Sequence, residues 1–122
     1  MSQAPMVAII DDDESVRIAT ESLVRSLGLG TNTFASAEEF LSSPELGKTS
    51  CLITDVQMPG MTGIELLARL VDQGKKLPVI FMTAFPEERV RRQAFAAGAI
   101  GFLSKPFGSE AIIECIDRAL QS

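Results

Sequence analysis

The sequence predicts an α/β fold, (βα)₅, in one domain covering residues 1–122. Three observations predict it. Four short apolar runs each stop at a polar residue: Met6–Ile10 at Asp11-Asp12-Asp13, Cys51–Thr54 at Asp55, Val79–Met82 at Thr83, and Ile100–Ser104 at Lys105-Pro106. The stretches between them repeat their apolar residues with helical period. Glycines, prolines and capping residues punctuate the joints. Strands alternating with helices imply a parallel sheet covered on both faces through right-handed crossovers. The runs at 6–10 and 79–82 are apolar without alternation, as strands buried on both faces require. The carboxyl ends of such strands lie side by side, at the edge where open α/β sheets bind ligands.

The elements follow in order. After the first strand, Val16, Ala19, Leu23, Val24 and Leu27 share one face of a helix over 14–27, with Gly28 as its stop. Thr31–Phe34 reads as a short strand. Ser36 and Glu39 form a capping box for a helix through Phe40 and Leu41, which Ser43-Pro44 ends; Gly47-Lys48 marks a loop. The strand at 51–54 leads into the loop Pro59-Gly60-Met61-Thr62-Gly63. Thr62 and Glu65 cap a third helix, whose apolar face carries Ile64, Leu67, Leu70 and Val71 and which closes at Gly74. Pro78 precedes the strand at 79–82. Pro86 suits the first turn of a fourth helix, with Glu87 and Glu88 at its amino end, Val90, Ala94 and Ala97 on its apolar face and Gly98 as its stop. A strand at 100–103 follows, and Ser109 caps a last helix bearing Ile112, Ile113, Ile116 and Leu120.

Composition narrows the function. Eleven basic against sixteen acidic residues give a net charge of −5 with no basic tail, which argues against a broad nucleic-acid-binding surface on this segment. Histidine is absent, which removes nucleophile–histidine pairs, His₃ zinc sites and phosphohistidine chemistry together. Cys51 and Cys115 lie in apolar surroundings without CxxC spacing and read as buried thiols of a reducing compartment. The amino end lacks the charged and apolar regions of a signal peptide, and no apolar run approaches the ~20 residues of a bilayer span. The expectation is a cytoplasmic protein with no membrane contact.

The acidic residues carry the chemistry. Bare carboxylates ~4 Å apart repel by roughly 4 kcal/mol at an effective dielectric near 20, so Asp11, Asp12 and Asp55 on one sheet edge require compensation. Mg²⁺, a hard cation that takes one or two carboxylates plus water and phosphoryl oxygens, supplies it, and Lys105 adds countercharge. Capping of the first helix is the competing explanation for Asp11 and Asp12, and the favoured one for Asp13. Asp55 is the candidate nucleophile, because a carboxylate can accept a phosphoryl group as an acyl phosphate. Lys105 Nζ and Thr83 Oγ1 suit the stabilisation of the other phosphoryl oxygens. A cis Lys105–Pro106 bond is one way to fix the lysine's direction.

Taken together, these residues resemble a response-regulator receiver domain of bacterial two-component signalling. The matching pieces are Ile10-Asp11-Asp12, Asp55 with Pro59 and Gly63 behind it, Met82-Thr83-Ala84 and Lys105-Pro106-Phe107, an ordered set spanning residues 6–120. Their wording is most similar to the FixJ-like transcription-factor class. The resemblance implies a flavodoxin-like five-stranded parallel sheet in order 2-1-3-4-5. It implies Asp55 as phosphoacceptor and Mg²⁺ held by Asp11, Asp12, Asp55 and the backbone carbonyl of Gln57. It further implies Lys105 paired with the phosphoryl group, Thr83 as the hydroxyl that swings to meet it, and Phe102 as the switch aromatic that moves with Thr83. The phosphodonor is then a histidine kinase, a phosphotransfer protein or a small phosphodonor, and the chain is a switch rather than an enzyme.

Phe102 stands where tyrosine is commoner in the family, so burial alone favours its inward state; a constant core role is the alternative. The resemblance also implies that Gln57 and Phe85 occupy the positions that tune dephosphorylation rate in this family. The face of helix 4 and strand 5, with Glu87-Glu88-Arg89-Val90-Arg91-Arg92, suits either a homodimer with self-complementary salt bridges or plain solvation. Two rivals stand beside this reading. One is a receiver-like binding module that never cycles phosphate. The other is a haloacid-dehalogenase-type phosphatase using Asp11 and Asp13 as a DxD pair. A DNA-binding output domain is expected outside the chain.

Overall fold

The β-branched and apolar runs form five strands, β1 (Met6–Ile10), β2 (Gly30–Phe34), β3 (Cys51–Asp55), β4 (Val79–Thr83) and β5 (Gly101–Ser104). All neighbours pair parallel, in the order β2-β1-β3-β4-β5, in the computed structural model, which describes residues 4–105 and 108–121. The helices are α1 (Glu14–Arg25), α2 (Ala37–Ser42), α3 (Gly63–Asp72), α4 (Glu88–Ala96) and α5 (Ser109–Gln121). A 3₁₀ turn at Leu46–Lys48 occupies what the sequence marks as a loop.

Alternation along each strand divides the core into two layers. Ala8, Ile10, Leu52 and Phe81 face one side, with Phe40, Leu66, Leu70 and Ala94 from α2, α3 and α4. Val7, Ile9, Ile53, Ile80 and Met82 face the other, with Val24 of α1 and Ile112 and Ile116 of α5. β3 and β4 are buried along their whole length, which is why their sequences show no polar alternation. The fold places the strand ends in register: Ile10 pairs with Thr54, Asp55 with Met82, and Thr83 with Ser104.

The structure corrects several boundaries. Asp55 and Thr83 are the last residues of their strands, and β5 is shifted to Gly101–Ser104. α1 ends at Arg25, so Leu27 lies beyond it and is exposed; Ala19 is exposed too. Val71 is exposed because α3 buries a narrower face through Leu66, Leu67 and Leu70. Pro86 lies outside α4: Glu87 takes an extended conformation (φ −117°, ψ 137°) as N-cap, and the helix starts at Glu88. Ser109 is the first residue of α5 rather than the residue before it. The predicted capping box at Thr62 and Glu65 is complete, and of the one predicted at Ser36 the half from Glu39 N to the Ser36 side chain is formed.

Candidate functional site

Asp11, just past β1, and Asp55 and Thr83, the last residues of β3 and β4, are buried polar residues at the ends of largely apolar strands. The ladder continues past the strand ends. Asp11 N donates to Phe34 O (3.1 Å), Val56 N to Met82 O (3.1 Å) and Lys105 N to Thr83 O (2.7 Å). Backbone bonds thus hold the bases of all four predicted site segments, and the side chains share one edge.

Lys105 Nζ reaches between two carboxylates, 2.8 Å from Asp11 Oδ2 and 2.9 Å from Asp55 Oδ2. The remaining oxygens are oriented by neighbouring backbone. Asp13 N donates to Asp11 Oδ1 (2.9 Å) and Gln57 N to Asp55 Oδ1 (3.1 Å). Carboxylate oxygens of Asp11, Asp12 and Asp55 lie within 4.8 Å of one another, with Asp12 exposed and the other two buried. With all groups ionised, three carboxylates against one ammonium leave two negative charges, which matches a divalent cation held by oxygen ligands.

The environment tunes both partners. Burial pushes the Asp55 carboxyl above its ordinary value, the hydrogen bond and charge of Lys105 oppose that rise, and the Asp11 charge adds to it. Burial alone would lower the Lys105 ammonium, but hydrogen bonds to Asp11 and Asp55 and their charges outweigh it and hold the ammonium above its ordinary value. Lys105 therefore stays charged beside the two carboxylates near neutrality.

The structure separates the three consecutive aspartates. Asp13 accepts from Ser15 N (2.9 Å) and Val16 N (3.3 Å) and caps α1, as the capping explanation expects. That role occupies the second carboxylate of the DxD pair. Asp11 points instead to Lys105. Thr83 Oγ1 accepts from Phe85 N (3.1 Å), so the hydroxyl is engaged with its own loop. Phe102 is half-buried and packs against the layer formed by α2, α3 and α4. Gln57 is exposed two residues beyond Asp55. The cis-bond expectation at Pro106, and Phe107 after it, lie outside the described residues.

One supporting residue escapes sequence reading, and a second is read from sequence without its structural reason. Arg17 Nη1 donates to the Asp11 carbonyl (2.6 Å) and fixes the peptide that carries the acidic pair. Its position in the second turn of α1 looks like an ordinary helix-surface arginine. Gly63 starts α3 where a Cβ would fall on the Asp55 carbonyl oxygen and 2.9 Å from Phe81 Cε1. The sequence marks this glycine as a loop residue and as part of the motif behind Asp55, but not as a close approach of backbone.

The mixed charges of α4 close within the protomer. Glu88 pairs with Arg91 (3.1 Å) and Arg92 (3.4 Å), and Arg91 lies over the Phe95 ring.

Comparison with known proteins identifies the family in which this fold and this acidic edge occur. Residues 7–117 match the family described as the response regulator receiver domain, and the chain belongs to that family. It is 38% identical over 119 residues to the response regulator protein TodT of Pseudomonas putida, covering 98% of this chain and 52% of that protein. It is 38% identical over 120 residues to the transcriptional regulatory protein FixJ of Azorhizobium caulinodans, covering 98% of this chain and 57% of that one. The crystal structure of FixJ-N superposes with a TM-score of 0.87 at 35% identity, covering 98% of this chain and 96% of that chain. The chain spans about half the length of the curated relatives it matches. Receiver domains are signalling modules of two-component systems. They switch on phosphorylation, generally bind Mg²⁺ at an acidic pocket, and interact with a histidine kinase or another phosphodonor.

Proposed function

We propose that this chain accepts a phosphoryl group on Asp55 and that Lys105 and Thr83 convert its arrival into a change of shape. The observation that carries the reading is the Lys105 ammonium bridging Asp11 Oδ2 and Asp55 Oδ2. Its charge sits where a transferred phosphoryl group would place its oxygens. Asp11, Asp12 and Asp55 with the Gln57 carbonyl would hold Mg²⁺, which supplies neutralisation of the charge developing on the phosphoryl oxygens.

An Asp55 carboxylate oxygen attacks phosphorus, the bond from phosphorus to the donor's leaving group breaks, and an acyl phosphate forms. Lys105 exchanges its contact with Asp55 for one with a phosphoryl oxygen. Thr83 gives up the Phe85 N–H as partner and donates its hydroxyl proton to the new group. The space it vacates beside β4 draws Phe102 inward, and the surface of α4 and β5 changes. Moving such a switch from 1:99 to 99:1 takes about 5.5 kcal/mol of differential stabilisation.

The phosphodonor we propose is a cognate histidine kinase or phosphotransfer protein acting in the cytoplasm. Relatives named as transcriptional regulatory proteins support a transcriptional output beyond this segment, which we take to be a DNA-binding domain. The face of α4 and β5 is the homodimer contact proposed for the phosphorylated form. Residues 1–122 then form the receiver unit, which makes no nucleic-acid contact of its own.

The test is exposure to acetyl phosphate with Mg²⁺ and measurement of intact mass. The parent should gain one phosphoryl increment and Asp55→Ala should gain none. An adduct that persists unchanged in Asp55→Ala overturns the assignment.

A further inference from the structure

We infer that Glu38, on α2, is a positioning residue for the cation-holding loop after β3, an inference that rests on the phosphoacceptor reading above. The loop from Val56 to Thr62 carries the Gln57 carbonyl. Its head is tied by Gln57 N to Asp55 Oδ1, and its foot by Gly63 N to Val56 O (2.9 Å) and by the Thr62–Glu65 capping box. Between these, Met61 N donates to Glu38 Oε2 at 3.1 Å, a contact between residues 23 apart in sequence and on separate elements.

A second feature is built around the same carboxylate. Gly60 has φ +78°, a conformation that disfavours any side chain, and a Cβ there would come within 2.7 Å of Glu38 Oε2. The backbone at Gly60 and the amide of Met61 thus wrap the Glu38 carboxylate closely. The base of this latch is rigid. Ala37 and Phe40 on either side of Glu38 are fully buried, and Phe40 stacks edge-on against Phe34 of β2 with centroids 5.3 Å apart. α2 therefore acts as a fixed post. It restrains the tip of the loop that presents Gln57, which fixes the spacing between the Gln57 peptide and Asp55 before any cation arrives. Groups that orient metal ligands in this way raise affinity through pre-organisation.

The experiment measures Mg²⁺ binding by calorimetry on the parent chain, Glu38→Ala and Glu38→Gln, with amide hydrogen exchange of the peptide containing Met61 and thermal unfolding alongside. Glu38→Ala should bind Mg²⁺ about three- to tenfold more weakly, less than a buried supporting group because the contact is exposed. Exchange at Met61 should quicken in the same variant. Glu38→Gln keeps an acceptor oxygen and should restore affinity to within about twofold, although it loses the same first-turn charge as the alanine variant. Equal weakening in both variants would mean that charge, not position, matters and would overturn the inference. Unaltered affinity in Glu38→Ala, with or without a fall in unfolding temperature, would overturn it too. A parent that binds no Mg²⁺ and takes no phosphoryl group would sink the phosphoacceptor reading and the latch together. A parent that does both beside an unaffected Glu38→Ala would sink the latch alone.

Discussion

Replacing Lys105 by methionine should unbalance the site in a way that can be calculated from its geometry. Each of the two ion pairs, at 2.8 and 2.9 Å, represents about 6 kcal/mol of direct attraction at an effective dielectric of roughly 20. Desolvation of three groups offsets most of it, since Asp11 is fully buried and the Lys105 side chain is only 14% exposed. Removing the ammonium strands two buried carboxylates without their cation, for which the expected net loss is about 3–5 kcal/mol. Of the remaining influences on Asp55, burial and the Asp11 charge raise its pKa and the Gln57 N–H lowers it, so the carboxyl rises further than in the parent.

A carboxyl with a folded pKa above its unfolded value holds its proton more tightly in the native state. Its contribution to stability is complete below the unfolded pKa and is lost as pH climbs through the folded one. The stability deficit of Lys105→Met should therefore be largest near neutral pH and should shrink on acidification towards about pH 4–5. Added Mg²⁺ should stabilise the variant more than the parent, because it replaces the missing charge. The chain has no Trp or Tyr, so urea unfolding followed by far-ultraviolet circular dichroism is the suitable assay, run with and without a chelator. A variant as stable as the parent at neutral pH, or a deficit that ignores pH, would refute the claim that Lys105 compensates the two buried carboxylates.

Three further outcomes follow from the same structure. Gly63→Ala drives a methyl group against the Asp55 carbonyl and Phe81; it should cost about 1–3 kcal/mol in urea unfolding and slow phosphoryl uptake by Asp55 from acetyl phosphate. Asp13→Ala removes the α1 cap and should cost about 1 kcal/mol while leaving phosphoryl uptake intact, whereas lost uptake would return Asp13 to the site. Burial, with a smaller contribution from the Cys115 charge, pushes the Cys51 thiol up to about 12. Iodoacetamide should therefore label Cys51 in urea but not in the native chain. The native state binds that proton more tightly, so stability should fall as pH rises from the ordinary thiol value of 9.0 through about 12.

Local signals carried a large part of this molecule. The strand ends at Asp11, Asp55, Thr83 and Lys105 were legible because buried strands read as largely apolar runs, and a charged residue marks where such a run stops. Ser36 and Thr62 announced their helices because a cap is a contact within one turn of chain. Misplacements fell where sequence offers a weaker cue. Pro86 suits a first helical turn as well as the residue before a cap, and Leu27 and Val71 continue an apolar period past the face that packing actually covers.

What the sequence by itself determined was the order of elements, the sheet edge that gathers the polar residues, and the kinds of chemistry those residues permit. Tertiary structure alone decided which partners they take. Lys105 chose Asp11 and Asp55 across 94 and 50 residues of chain, and Glu38 of α2 met the Met61 amide in the loop before α3. The physical reason is range. Periodicity, capping and turn chemistry act over a few residues and can be read along the chain. The pairing of buried charges depends on distances and desolvation that exist only after the sheet has brought its strands together.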